Sequence, residues 1–165
     1  MALVTSKQRG NLVTLAKYLV LNRDKVHYAE VRPMRTNSIR NLAQLHRAIE
    51  GPDGITCDCS ESITFMYRMC KLEDPNGLNY DGDGFTGTML AYLPHFENVS
   101  EAHAGTIVVF GDYPGVHAIM VVVPDGSDPL CFSHGGPGGP TMIRLTDCRT
   151  GFPGMPVTFL QVMHL

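Results

Sequence analysis

The chain has little charge and no long apolar run, and each shortage removes a class of function. Of 165 residues 18% are charged and the net charge is −3, so the sequence carries no electrostatic footprint for nucleic acid or an anionic membrane. Its longest basic cluster, over residues 32–40, is diluted by Thr, Asn and Ser. No window approaches the roughly 18 consecutive apolar residues of a membrane span. The start, "MALVTSKQRGNLVTLAKYLV", has neither a short apolar run behind a basic segment nor a small-residue cleavage site, so the expectation is synthesis in the cytoplasm without a signal peptide. Internal repeats and linkers are absent. Five cysteines at irregular spacings, in a chain too large to need a disulfide framework, predict free thiols.

What is present is the composition of a packed protein, 44% hydrophobic, and a length that fits one domain over residues 1–165. Leu12, Leu15, Ala16 and Leu19 recur at helical spacing and predict a first helix over 11–21. A second is expected over 38–50, with Ile39, Leu42, Ala43, Leu45 and Ile49 apolar, Asn37 or Ser38 as cap, and Gly51-Pro52 as stop. A third starts near Cys59. "EDPNGLNYDGDGFTG" reads as a loop and "TMLAYL" as a short helix. Beyond residue 105 the character changes to short runs rich in Val, Ile, Phe and Thr: "TIVVF", "VHAIMVVV", "PLCFS", "TMIRLT" and "VTFLQVM", separated by turn clusters. Helices followed by an antiparallel meander of about five strands predict an α+β fold without βαβ alternation.

The chemistry concentrates in "GITCDCSESITFMYRMC", residues 54–70. Asp58 followed three residues later by Glu61 has the form of a capping box, which places Cys59 at the first helical position. A thiol there meets the positive end of the helix dipole and unpaired backbone N–H groups, which favour the thiolate and can hold an oxyanion. Cys57 lies before the cap, without that help. Locally two readings stand, a nucleophile and a small buried hydrophobe that happens to start a helix.

A catalytic thiol needs a base, usually His, and a group that orients the ring. Of seven histidines, His27, His46, His95, His103 and His164 sit in polar helical, loop or terminal contexts, where a surface role suffices. His117 opens the most apolar strand, and alternation puts it on the face of Ile119 and Val121, where a polar ring must be paired or used. His134 ends the next strand, "CFSHGG", and a neighbouring antiparallel strand could bring it beside His117.

"DCSESITFMYRMC", followed by "AHAGTIVVFG", "GVHAIMVVV" and "CFSHGGPGG", resembles the NlpC-type cell-wall cysteine peptidases, a papain-like family. The resemblance spans residues 56–145 and covers order as well as residue type. It implies Cys59 as nucleophile, His117 as general base and His134 as the orienting residue, with Tyr28, Asp58 and Ser60 at the oxyanion and substrate site and no metal or organic cofactor. It departs from the family in having Glu61 where Gly is usual and Thr106 where Asp is usual, and in a longer segment between Tyr28 and Cys59. The implied substrate is a peptidoglycan stem peptide, cut as an endopeptidase or, less directly, as an N-acetylmuramoyl-L-alanine amidase. The implied setting is the bacterial cell wall; with no signal peptide expected, the chain is read as phage-encoded, acting as a lysin or beside phage tail proteins in a virion. A noncatalytic papain-like component of a phage particle is the alternative.

Two metal readings use overlapping residues. Cys57, Cys59, Cys131 and His134 have donors suited to zinc, but the first two are too closely spaced and the last two point to opposite faces of a regular strand. "NYDGDGF" places Asn79, Asp81, Asp83 and Gly84 as in a calcium loop, yet its closing position falls on Leu90 rather than Glu. The zinc-deaminase signature is absent.

Overall fold

The computed structural model describes residues 2–3, 5–30, 35–161 and 163–164. Arg32 of the basic cluster and the side chains of Asn37 and His164 lie outside what is described. In chain order the elements begin with β1 (Ala2–Leu3), α1 (Ser6–Leu21), β2 (Val26–Tyr28), α2 (Leu42–Glu50), β3 (Ile55–Cys57), α3 (Cys59–Met69) and α4 (Thr86–Tyr92). They continue with β4 (His95–Phe96), β5 (Ile107–Phe110), β6 (His117–Val123), β7 (Leu130–Ser133), β8 (Thr141–Arg144), α5 (Leu145–Thr150), β9 (Val157–Leu160) and β10 (Met163–His164).

Local chemistry accounts for the boundaries. α1 starts earlier than its apolar spacing indicates because Thr5 and Gln8 form a capping box, the Gln8 Oε1 accepting from the Thr5 N–H at 3.0 Å. α2 starts later than expected. Asn41, rather than Asn37 or Ser38, caps it by accepting from the Gln44 N–H at 3.0 Å, and residues 35–38 form a separate 3-10 turn. Of the expected apolar stripe, Leu45 and Ile49 are buried within the helix and Ile39 just before it, whereas Leu42 and Ala43 are exposed.

β2 and β3 pair in parallel around α2, a small βαβ unit that the sequence reading did not expect. The main sheet is antiparallel and six-stranded, in the order β4-β9-β5-β6-β7-β8. The meander therefore runs from β5 to β8. The chain then passes through α5, also unexpected from "TMIRLT", and returns β9 to the free side of β5.

Alternation splits the sheet residues into two cores. Ile107, Val109, Ala118, Met120, Val122, Phe132 and Leu160 pack with Leu12 and Leu19 of α1 and with Ile63 and Met66 of α3. Val108, Phe110, Ile119, Val121 and Cys131 lie on the other face with Leu145 and Cys148 of α5. Truncating a fully buried side chain such as Leu12 in a core like this costs roughly 2–5 kcal/mol. Between β6 and β7 the register slips: Ile119 faces Ser133 and Val121 faces Cys131, but Val123 faces Leu130. Among the described residues no helix is long and apolar enough to cross a membrane.

Candidate active site

β3 ends at Cys57, Asp58 continues the extended backbone (φ −93°, ψ −171°), and Cys59 begins α3. The Asp58 carboxylate caps the helix as expected, accepting from the Glu61 N–H at 2.8 Å and from the Ser60 hydroxyl at 2.9 Å. Glu61, expected to reach back to the cap, directs its Oε1 to the Thr36 hydroxyl of the 3-10 turn instead.

The position of Cys59 follows from the sequence, but its electrostatics do not. Burial pushes the thiol up to about 11, and the charge of Asp58 adds to that, while the backbone N–H groups of Ala118, Ser60 and Cys59 itself favour the thiolate. Desolvation thus outweighs the helix start. Burial therefore favours the protonated thiol in the free site, which lies beside a cavity of about 350 Å³ lined by Tyr28, Glu30, Asp58, Phe85, Thr86 and Val116 among others.

His117 opens β6 on the face of Ile119 and Val121, as alternation predicts. Its ring stacks on Phe152, with centroids 5.2 Å apart, and lies tilted against Phe110. Its Nε2 is 3.0 Å from the Ser133 hydroxyl oxygen. Burial lowers its pKa to about 4 against a smaller upward pull from Asp58. His134 is fully buried, with Nδ1 3.6 Å from the Cys57 sulfur and the Tyr28 ring edge-on at 5.4 Å. Its Nε2 makes no hydrogen bond, although the Val26 backbone lies near enough to favour the charged ring. Burial lowers this imidazole also to about 4, helped by the proximity of His117 and His27 and opposed by Asp58.

The charge of Asp58 acts on Cys59, His117 and His134 alike. They are not joined in the expected chain. Among the described residues no hydrogen bond links Cys59 to His117 or His117 to His134. Tyr28 stands opposite Cys57 in the β2–β3 ladder and donates its hydroxyl to Glu30 at 2.9 Å; burial first, and then that bond, raise its pKa. Ser60 donates to Asp58 and to the Gly84 carbonyl.

His27, His46, His95 and His103 are exposed, and Cys131 sits in the core on the α5 face, its thiol directed to the Pro129 carbonyl. The 73–87 loop is organised by Asn76. Its side chain donates to the Thr64 hydroxyl at 2.9 Å and accepts from the Phe85 N–H at 2.9 Å and the Thr88 hydroxyl at 2.6 Å, which sets the Phe85–Thr86 wall of the cavity. Asn76 and Ser133 carried no motif of their own. Only the strand register could have singled out Ser133.

No family model and no curated protein matches the chain. Among solved structures, NlpC2 from Trichomonas vaginalis is similar, with a TM-score of 0.55 and 15% sequence identity. The alignment covers 98% of this chain and 50% of that one, so the chain spans half the length of its structural relative. The likeness is one of fold: the α+β arrangement, with the Cys59 helix packed on the antiparallel sheet, matches the NlpC papain-like fold.

Proposed function

We propose that the protein is a cysteine hydrolase that cleaves an amide bond in the stem peptide of bacterial peptidoglycan, as a phage lysin or a wall-degrading component of a virion tail. The observation that carries this reading is the place of Cys59, at the start of an 11-residue helix and lining an open cavity, where a cluster of backbone N–H groups stands free of intrahelical partners. Such a cluster stabilises the negative charge that develops on sulfur and carbonyl oxygen during acyl transfer.

In this mechanism the Cys59 sulfur attacks the amide carbonyl as His117 accepts the thiol proton. The neutral imidazole that burial maintains is the form able to accept it. The oxyanion is held at the helix start. Collapse breaks the C–N bond, His117 returns the proton to the leaving amine, and water then hydrolyses the thioester with His117 again as base. The thiol and the ring meet in the substrate complex, since catalytic hydrogen bonds are commonly long in the free enzyme. Tyr28, Asp58 and Ser60 line the substrate side, and the peptidoglycan assignment draws on the motif resemblance together with the shared fold.

A second reading, a noncatalytic papain-like binding component of a phage particle, is favoured by one observation: Cys59 makes no hydrogen bond to His117, whose Nε2 lies against Ser133 instead. One experiment separates them. Purified peptidoglycan is incubated with wild type and Cys59→Ser, and new amino groups and fragments are followed by amine labelling and mass spectrometry. Release that depends on Cys59 supports the hydrolase, and the fragment masses distinguish an endopeptidase from an amidase. Wall binding without release by either protein establishes the second reading.

A further inference from the structure

The register slip in β6 decides which residue of β7 can hold His117. Beyond the slip Val123 faces Leu130, and that register carried unbroken along the two strands would set Ile119 against His134. A shift of one residue exchanges the faces of a strand. With the slip in place Ile119 faces Ser133, so Ser133 shares the face of Ile119 and His117 while His134 turns to the side of Phe132, Cys57 and Tyr28.

We infer that Ser133, rather than His134, is the positioning residue for His117; the inference rests on the reading of His117 as the general base. Ser133 is buried, and its Oγ lies 3.0 Å from His117 Nε2. A hydroxyl that accepts from Nε2–H fixes the tautomer in which Nδ1 carries the lone pair, and Nδ1 is then the atom that takes the thiol proton. When the ring becomes imidazolium, Nε2 still donates and the hydroxyl still accepts, so the same contact serves both states. The ring plane is set independently. Phe152 stacks on it with an interplanar angle of 14°, and a Cβ at Gly135 would stand 2.8 Å from Cε1, so only glycine leaves the ring its place. Ser133 is uncharged, so it orients the base without raising its pKa as a carboxylate would. This agrees with a ring lowered to about 4 chiefly by burial.

The test combines kinetics with a measurement that needs no activity. In wild type labelled with nitrogen-15 at histidine, the His117 resonances should report a single tautomer protonated at Nε2. Ser133→Ala should convert them to a tautomer mixture and lower kcat by roughly tenfold or more with a smaller change in KM, and Ser133→Thr should restore both. An unchanged tautomer in Ser133→Ala, or a wild-type ring protonated at Nδ1, overturns the assignment. If wild type cleaves no wall substrate, the hydrolase reading fails, while the tautomer measurement still decides whether Ser133 holds the ring.

Discussion

The sulfur of Cys57 lies 3.6 Å from Nδ1 of His134, with both side chains completely buried, so this imidazole is spoken for by the strand that precedes the candidate nucleophile. The contact separates the two cysteines of "CDC" by environment: Cys57 belongs to the core, and Cys59 faces the cavity.

Cys57→Ala is therefore expected to lower stability by about 1–3 kcal/mol, through lost packing and an imidazole nitrogen left without its partner. Alkylation of Cys59 should be unaffected. Urea unfolding monitored by circular dichroism, with peptide mapping of iodoacetamide adducts, checks both.

Stability should also fall on mild acidification. His117 and His134 titrate near 4 in the folded protein and near 6.5 in an unfolded chain, so between those values the unfolded chain binds more protons. Their contribution is fully present above about 6.5 and is lost as pH drops toward about 4. Unfolding midpoints measured from pH 7.5 to 4.5 should decline through this window, and His117→Asn should flatten the decline.

Alkylation of Cys59 in the free protein should be slow at neutral pH and rise toward about pH 11, because burial opposes the thiolate. Asp58→Asn keeps a capping oxygen but removes the charge that acts on the thiol and on both imidazoles. Its expected effect is to lower all three pKa values, so Cys59 reacts faster at a fixed pH. An unchanged alkylation profile would show that Asp58 serves the helix alone.

Gly135→Ala and Gly136→Ala form a matched pair. A Cβ at 135 meets the His117 ring, whereas at 136 nothing lies within 4 Å. The first should reduce hydrolysis by roughly tenfold or more through a misplaced base, with little change in unfolding midpoint. The second should resemble wild type.

Much of this arrangement was legible in the sequence. The spacing of Leu12, Leu15 and Leu19, the Asp58 cap and the alternation of His117 with Ile119 and Val121 are local signals, and the elements obey them. What escaped depends on distant pairing. The parallel ladder of Tyr28 with Cys57 joins segments on either side of a helix, and the partner of His117 depends on a one-residue slip that no local pattern in "VHAIMVVV" marks. The electrostatics of Cys59 are hidden for a related reason: the helix start is visible in sequence, whereas the burial that opposes the thiolate arises only when distant segments pack together.

The β2–β3 ladder also governs how the chain tolerates insertion. Val26, His27 and Tyr28 stand in register with Ile55, Thr56 and Cys57, so the intervening segment with α2 leaves and rejoins the protein between two clamped ends. Residues can be gained or lost at exposed positions of that excursion while the ladder keeps the phenol of Tyr28 and the start of the Cys59 helix in register. The exposed stretches of the segment can thus diverge and take on new binding surface, while Leu45 and Ile49 hold α2 to the core and the two side chains at its ends keep their mutual geometry.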